Sequence, residues 1–328
     1  MDDTPLFSVI IPVKNEAHIL ARCLQSLREV DYPRERIEVI VSDGLSRDDT
    51  REVAQRFGAT VVTNQKEVVV SGRNRGFEAA RGDIVVFTDA DCVFDARWLK
   101  NSIKYFGDER VAGIGGITLA PLNNTSFEQA VNLIFILAGF FHSTSHRQKE
   151  KSEQKVRDIP GCNAMYRRDA LAKVMPVDEG LLTAEDVWMN YCLRRLGYKL
   201  VFASDVILWH HRRNTPRGFL RQMYRFAIGR LQVAKRSATL INPLHILTGL
   251  SLPFILALAL YAYLKGGLLI FAQGLLLLLT LAILAAAAIT KSLSAGLWFA
   301  GVGVFFILGW SGGFLRELIF PLKEVKGK

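Results

Sequence analysis

The chain has 328 residues, 50% of them hydrophobic, and carries a formal net charge of +10. Its length leaves room for two domains. Residues 147–236 alone carry +10 and are followed by an apolar C-terminal part, whereas residues 1–146 carry −4. A basic region beside apolar segments favours a membrane surface with anionic lipid as the partner over nucleic acid.

The four cysteines are far apart and form neither a metal-binding spacing nor a paired framework: Cys23, Cys92, Cys162 and Cys192. We therefore expect reduced thiols in a cytosolic domain. Residues 1–5 contain no basic stretch ahead of an apolar run, so no signal peptide is predicted.

Apolar strands and amphipathic helices alternate over the first 90 residues. The strands are predicted at 7–11, 37–41, 60–63 and 84–88, and the helices at 15–28, 51–57 and 77–80. This alternation is typical of a doubly wound, mostly parallel α/β sheet. Ligands of such sheets bind beyond the carboxyl ends of the strands, where the turn at 42–50 and the polar stretch at 71–76 are expected to lie.

Asp89 and Asp91 directly follow the apolar strand at 84–88. Residues i and i+2 of an extended chain point to the same side. Two close carboxylates repel each other unless a cation lies between them, and oxygen ligands suit Mg²⁺ or Mn²⁺. The pair therefore predicts a metal site for a substrate diphosphate. A solvated turn at the end of a strand is the alternative.

The middle of the chain is less regular. Residues 111–119 predict another strand, and the apolar run 127–141 is too short for a membrane span, so it predicts a core or interfacial helix. The polar stretch 143–157 is either a mobile loop or a solvated linker.

A basic amphipathic helix is predicted just before the apolar C-terminal part. Arg217, Arg221 and Arg225 recur every four residues, which makes one ridge on a helix. An apolar stripe lies beside the ridge: Leu220, Met223, Ala227 and Leu231. Such a helix is expected in the headgroup plane of a membrane. An ordinary solvated basic face is the alternative.

Two apolar stretches, 244–264 and 268–289, are each about 20 residues long and sufficient to cross a bilayer. The stretch from 297 to 320 is either a third span or a shorter span followed by an interfacial helix. We predict three spans, with the preceding basic flank on the cytoplasmic side. The resulting organisation is a catalytic domain (1–211), an interfacial segment (212–241) and a transmembrane region (242–328).

Seven short motifs occur in a characteristic order: Val9–Glu16, Ser42–Asp48, Arg73–Gly76, Asp89–Asp91, Pro160–Arg168, Glu185–Asp186 and Gln222–Phe226. Together they resemble the inverting glycosyltransferases with the GT-A fold, in particular the membrane-anchored, family 2-like members that use nucleotide-sugar donors. The resemblance covers about residues 6–236.

The resemblance implies a role for each matching position. The donor site would contain Pro12, Lys14, Glu16, Asp43, Arg73, Asp89 and Gln222. Asp89 and Asp91 would hold Mg²⁺ or Mn²⁺. Asp186 would be the general base with Glu185 beside it, and Arg225 would offset charge on the departing diphosphate. The acceptor side would contain Gly161, Cys162 and Asn163.

Two departures from the family pattern leave questions open. Ser42 stands where an acid is usual, so the nucleobase is not fixed, and Phe226 stands where Trp is usual, which leaves processive transfer open. His210 and His211 lie either near the diphosphate or in a structural role.

The expected function is transfer of a sugar from a nucleotide-sugar to a hydroxyl of a lipid-linked saccharide or growing glycan. A polyprenyl-phosphate sugar synthase is the alternative, since an acceptor that is already an anion needs no general base. A metal-dependent nucleotidyltransferase is an alternative from another class, but it would not explain Glu185–Asp186 together with Gln222–Phe226. A channel or transporter is disfavoured because the predicted spans carry almost no polar residues.

Overall fold

The computed structural model describes residues 4–121, 123–137, 154–211 and 214–322. These residues form two compact units. The first unit contains 4–121 and 154–211, and the second contains 123–137 and 214–322. Most of the polar stretch predicted at 143–157 lies outside the described residues.

Nine strands are described, and all belong to the first unit: β1 (Phe7–Val13), β2 (Ile37–Asp43), β3 (Thr60–Thr63), β4 (Ile84–Thr88), β5 (Cys92–Phe94), β6 (Val111–Leu119), β7 (Gln154–Val156), β8 (Asn163–Arg167) and β9 (Lys199–His210). The helices of this unit are α1 (Ala17–Arg28), α2 (Thr50–Arg56), α3 (Val69–Ala79) and α4 (Trp98–Ser102), then, after α5 (Ser126–Leu137) of the second unit, α6 (Arg168–Leu171) and α7 (Glu185–Arg195). The second unit continues with α8 (Pro216–Arg236), α9 (Pro243–Gly249), α10 (Ser251–Leu264), α11 (Leu268–Thr290) and α12 (Leu293–Ile319).

The strands form one sheet in the order β3-β2-β1-β4-β8-β6-β9-β5, and β7 pairs with β9. The predicted parallel arrangement holds for β3, β2, β1 and β4. However, β8 runs antiparallel to β4 and β6, and β5 and β7 run antiparallel to β9. The sheet is therefore mixed. Asn163, the first residue of β8, lies opposite Thr88, the last residue of β4. Strand β8 therefore begins where β4 ends and runs back along it.

The core of the first unit lies on both faces of β1 and β4. Ile10, Ile11 and residues 84–87 are fully buried. The apolar face of α1 covers one side of the sheet, as its helical spacing predicted, and Leu20 and Leu24 are among its buried residues. Burial of each large aliphatic side chain contributes about 1.5–3 kcal/mol to folding stability. This part of the sheet is therefore expected to be stable and to hold the turns at its carboxyl edge in place.

Helix α3 begins at Val69, so residues 71–76 are helical and the predicted start at 77 was wrong. The two glycines in this stretch serve close packing. An added Cβ at Gly76 would collide with Ile10 of β1, and one at Gly72 would lie 3.0 Å from Pro12 Cβ. Tertiary packing thus overrides the low helix propensity of glycine.

Helix α8 packs along α12 within the second unit. Ala227 and Leu231 share a buried cluster with Trp310 and Phe314. The carbonyl oxygen of Tyr224 occupies the space that a Cβ at position 313 would need. The apolar stripe predicted to enter a membrane surface is therefore covered by α12, because the two helices bury complementary faces. Residues 214–241 are accordingly not a separate segment.

Helix α5 also belongs to the second unit and not, as predicted, to the catalytic domain. The ring of Phe127 lies 6.5 Å from Phe219 of α8 and 5.2 Å from Trp298 of α12, measured between centroids. With 12 residues, α5 is shorter than a membrane span, as predicted, and most of its apolar residues are buried. Ile136 and Leu137 are exposed, and residues 138–141 of the predicted run lie outside the described residues.

Among the described residues, α11 and α12 are each long and apolar enough to cross a membrane. Helices α9 and α10 meet at a bend of 50°, and together they pass the same test as one broken span. Length and composition therefore allow two spans, or three when the bent pair is counted.

Candidate active site

Turns at the carboxyl ends of the parallel strands contain several residues in the left-handed backbone region. Asn15 follows β1 with φ 53°, Leu45 follows β2 with φ 58°, and Glu67 follows β3 with φ 60°. Ala184, directly before α7, has φ 65°. Non-glycine residues in this region cost about 1–3 kcal/mol each and cluster at ligand sites, so these turns mark the candidate site.

The residues of β1 and β2 that were predicted to bind the nucleotide-sugar lie at or beside these turns. Pro12, Lys14 and Glu16 are partly exposed, and Lys14 forms an ion pair with Glu67. In contrast, the carboxylate of Asp43 is fully buried.

Asp43 accepts hydrogen bonds from Ser46 N and, at 2.9 Å, from Arg51. The side chain of Arg51 is 38% exposed. The carboxylate that was predicted to bind the nucleobase is therefore buried. The neighbouring group that is exposed to solvent is the side chain of Arg51.

Asp89 and Asp91 do not share one face of an extended strand, because Ala90 and Asp91 form a turn in which Cys92 N donates to Asp89 O at 3.2 Å. The two carboxylates have different partners. Asp89 lies 3.4 Å from Arg73, while Asp91 lies 2.9 Å from Nε2 of His210. The expected pair of oxygen ligands thus gains a histidine nitrogen.

Pairing of β5 with β9 brings His210 to this position. Cys92 lies opposite His210 in the register, and His211 N donates to Asp91 O at 3.0 Å. The potential ligand atoms of Asp91, Cys92 and His210 all lie within 4.8 Å of one another. His210 is therefore a site residue whose role the sequence left open.

The electrostatics of this group follow from burial and from Asp91. Burial alone would lower the pKa of His210, but the Asp91 carboxylate more than reverses this, and the pKa lies well above its usual value. Burial raises the pKa of the Cys92 thiol, and Asp91 raises it further. The raised pKa favours the protonated imidazole, so His210 would have to release its proton before Nε2 could hold a cation, and the Cys92 thiol is protonated as well.

Arg73 connects three parts of the site while only 4% exposed. It forms an ion pair with Glu185, contacts Asp89, and donates to Gly161 O at 2.9 Å. Burial alone would lower the pKa of Arg73, but the surrounding carboxylates, Glu185 first, raise it, so Arg73 is a buried cation.

The two carboxylates at the start of α7 point to different environments. Glu185 is 6% exposed, and burial raises its pKa although Arg73 acts in the opposite direction. Asp186 is partly exposed and accepts from Gly161 N at 2.9 Å and from Val187 N at 2.8 Å. Asp186 is therefore the more accessible carboxylate, whereas Glu185 is buried against Arg73, and its catalytic role stays a prediction.

The residues of the predicted acceptor loop also differ in their exposure. The carbonyl oxygen of Cys162 accepts from Thr88 at 2.9 Å, and the side chain of Cys162 is partly exposed. Asn163 is fully buried, accepts from Trp98 Nε1 at 2.9 Å and donates to Ile117 O at 3.0 Å. Its side chain thus connects β8 to α4 and β6, and a contact with an acceptor stays a prediction.

Gln222 and Arg225 lie on α8 in the second unit and are both partly exposed. Their contact with a donor remains a prediction.

The mixed α/β sheet, with carboxylates, a histidine and a buried arginine at its strand ends, agrees with the GT-A fold that the sequence motifs predicted. A sequence model of glycosyl transferase family 2 matches residues 8–175. Glycosyltransferase AglE of Haloferax volcanii is 30% identical over 238 residues, which cover 70% of this chain and 74% of AglE. The chain belongs to glycosyl transferase family 2.

Two further likenesses extend the comparison. The dolichyl N-acetyl-alpha-D-glucosaminyl phosphate 3-beta-D-2,3-diacetamido-2,3-dideoxy-beta-D-glucuronosyltransferase of Methanococcus voltae is 26% identical over 229 residues, 66% of this chain and 70% of that protein. The solved mannosyltransferase PcManGT from Pyrobaculum calidifontis, in complex with GDP-Man and Mn²⁺, superposes with a TM-score of 0.64. It is 23% identical and covers 91% of this chain and 86% of its own, a likeness of fold.

Proposed function

We propose that this enzyme is a membrane-anchored, inverting glycosyltransferase that moves a sugar from a nucleotide-sugar to a hydroxyl of a lipid-linked saccharide or growing glycan. The observation that carries the proposal is Asp186, an accessible carboxylate fixed by two backbone N–H groups at the start of α7. An acceptor hydroxyl has to lose its proton as it attacks, and a carboxylate held in this way is suited to take it.

In the proposed reaction the acceptor oxygen attacks the anomeric carbon from the face opposite the nucleoside diphosphate. The new C–O bond forms, the bond to the diphosphate breaks, and the proton passes to the Asp186 carboxylate. Attack from the opposite face inverts the anomeric configuration. Arg225 is proposed to approach the departing diphosphate and to offset its charge.

Asp89, Asp91 and His210 are proposed to hold Mg²⁺ or Mn²⁺. Carboxylate oxygens with one imidazole nitrogen are a suitable donor set for such an ion, and Asp91 lies 2.9 Å from His210. When bound, the ion supplies positive charge that stabilises the diphosphate as it leaves.

The names of relatives support a saccharide acceptor. The Methanococcus voltae protein is named for transfer to dolichyl N-acetyl-glucosaminyl phosphate, and a 25% identical relative from Salmonella anatum is an O-antigen chain rhamnosyltransferase. Both are named for a sugar added to a saccharide. By this comparison we favour a hydroxyl acceptor over a bare polyprenyl phosphate.

The proposed membrane anchor consists of α9–α12, with the catalytic unit on the cytoplasmic side. Helix α11 has almost no buried residue, which suits a lipid environment. Arg217 and Arg221 of α8 are exposed and are proposed to face anionic headgroups.

The test is purified full-length protein with a panel of nucleotide-sugars and Mn²⁺, first for nucleoside diphosphate release and then for transfer to a lipid-linked saccharide or to a bare polyprenyl phosphate. We expect transfer to the saccharide with inversion. Absence of transfer from every donor would exclude this function. Transfer only to the bare phosphate would favour the polyprenyl-phosphate synthase instead.

A further inference from the structure

Arg73 occupies a central position behind the candidate site. It lies on α3, and its guanidinium reaches three separate elements: the end of β4 at Asp89, the loop before β8 at Gly161, and the start of α7 at Glu185. The guanidinium also lies 5.4 Å above the ring of Phe87. No two of these three elements are adjacent in sequence.

The surroundings of Arg73 argue against the donor contact that its sequence motif implied. The residue is 4% exposed, and both of its terminal nitrogens are engaged by protein oxygens. A side chain so placed acts on a substrate through its neighbours.

The most direct of these connections passes through one residue. Gly161 O accepts from Arg73 at 2.9 Å, while Gly161 N donates to Asp186 at 2.9 Å. Gly161 thus contacts Arg73 through its carbonyl oxygen and Asp186 through its N–H, so a displacement of Arg73 can reach the Asp186 carboxylate through one residue. The same guanidinium contacts Asp89 at 3.4 Å. One cation thus touches a predicted metal ligand and holds the residue that orients the proposed base.

Gly161 provides a second way to disturb this arrangement. A Cβ at position 161 would overlap the guanidinium of Arg73, lying 2.5 Å from Nη2. An alanine there would displace Arg73 without removing its charge. The absence of a side chain at 161 is thus a requirement of the arginine, and not of a left-handed backbone.

We infer that Arg73 is a positioning residue, which aligns the proposed general base Asp186 with the metal-binding carboxylate Asp89 through Glu185 and Gly161. The inference rests on the proposed function. It assigns Arg73 to orientation of the reacting groups and not to donor affinity.

The test compares Arg73→Gln, Arg73→Lys and Gly161→Ala with the wild-type full-length enzyme. Loss of alignment by about 1 Å can cost roughly 100-fold in rate, so we expect kcat to fall by about that factor in all three variants. Arg73→Lys should not restore kcat, because a single ammonium group cannot replace a planar guanidinium that contacts several partners. The KM for the nucleotide-sugar and the Kd for nucleotide with Mn²⁺, measured by calorimetry, should change by less than about threefold.

A double variant separates positioning from mere charge balance. Arg73→Gln leaves Glu185 buried without its cation, so Tm should fall, and adding Glu185→Gln should restore Tm. It should not restore kcat, because Gly161 still lacks its donor. Arg75→Gln on the same helix is the matched control, since Arg75 is 48% exposed and pairs with Glu78. We expect it to behave as wild type.

Two outcomes would overturn the positioning role while leaving the proposed function intact. A rise in KM and Kd with unchanged kcat would make Arg73 a donor contact. Recovery of kcat in Arg73→Gln/Glu185→Gln would show that Arg73 only neutralises the buried charge of Glu185. A wild-type enzyme that transfers no sugar would instead overturn the proposed function, and this inference with it.

Discussion

The carboxylate of Asp91 lies 2.9 Å from Nε2 of His210, although the two residues are far apart in sequence. The contact depends on the antiparallel register of β5 and β9, which places Cys92 opposite His210. A combined oxygen and nitrogen donor group is therefore built by strand pairing, at the end of the strand where Asp89 also lies.

This arrangement predicts that Asp91→Asn and His210→Ala each weaken metal binding. Loss of one ligand should lower the affinity for Mn²⁺ by about 10- to 100-fold, and kcat at limiting Mn²⁺ should fall in parallel. Titration followed by the electron spin resonance of free Mn²⁺ measures the affinity directly. Asp95→Asn, at the next turn, is the control, because Asp95 accepts from Arg97 N and has no part in the site. Unchanged Mn²⁺ affinity in both variants would remove the metal assignment.

Asp186→Asn tests the general base. The amide keeps the shape of the side chain but cannot take a proton, so we expect kcat with a lipid-linked saccharide to fall by about 10²–10⁴-fold. The donor KM should barely change, because the lost interaction acts in the transition state. With a bare polyprenyl phosphate the same substitution should have little effect. Near-normal turnover on the saccharide would show that Asp186 is not the base.

Glu38 predicts a pH-dependent contribution to stability. Burial alone would raise its pKa, but hydrogen bonds from Ser8 Oγ at 2.6 Å and Arg81 N at 2.9 Å lower it below 4.5. A carboxyl with a lowered folded-state pKa stabilises the protein above pH 4.5, and this contribution is lost as the pH falls through the folded-state pKa.

Glu38→Gln should therefore lower the free energy of unfolding at pH 7 by about 1.5–3 kcal/mol, the usual value for hydrogen bonds to a charged group. The difference from wild type should shrink as the pH falls below 4.5. Thermal unfolding in detergent across this range measures it, with Glu35→Gln, which is exposed, as the control. A difference that does not depend on pH would show that the charge of Glu38 contributes nothing.

The basic face of α8 predicts retention of anionic lipid. Arg217 and Arg221 are exposed, and each basic residue near an anionic surface contributes about 1 kcal/mol. Arg217→Gln/Arg221→Gln should therefore retain fewer anionic lipids after purification, as counted by native mass spectrometry. The control replaces Arg56 and Arg97, two exposed arginines of the first unit. Equal lipid counts in both double variants would contradict a headgroup contact.

The sequence predicted the parts of the fold that depend on local pattern. Strands β1 to β4 and helices α1 and α2 lie close to their predicted positions, because apolar periodicity and turn residues mark them. The α/β class followed from the alternation of strands and helices, and the sugar-transferring family followed from the order of the motifs.

Features that depend on distant partners were not predictable. Gly72 and Gly76 resemble turn residues in the sequence. Only the fold shows that they allow α3 to pack closely against β1. Asn163 and Glu185 occur in functional motifs, and only the folded chain shows that both are buried and have protein partners. His210 entered the site through strand register, which a single sequence does not reveal.

The packing of α8 on α12 has a practical consequence for handling the protein. Ending the chain near residue 241 to obtain a soluble catalytic fragment would remove α12 and uncover Met223, Ala227 and Leu231. The exposed face of α8, together with α5, would then promote aggregation in water. Experiments that concern only the nucleotide are therefore better done with the complete second unit in place. Solubility would be better sought by replacing exposed leucines of α11, which has almost no buried residue.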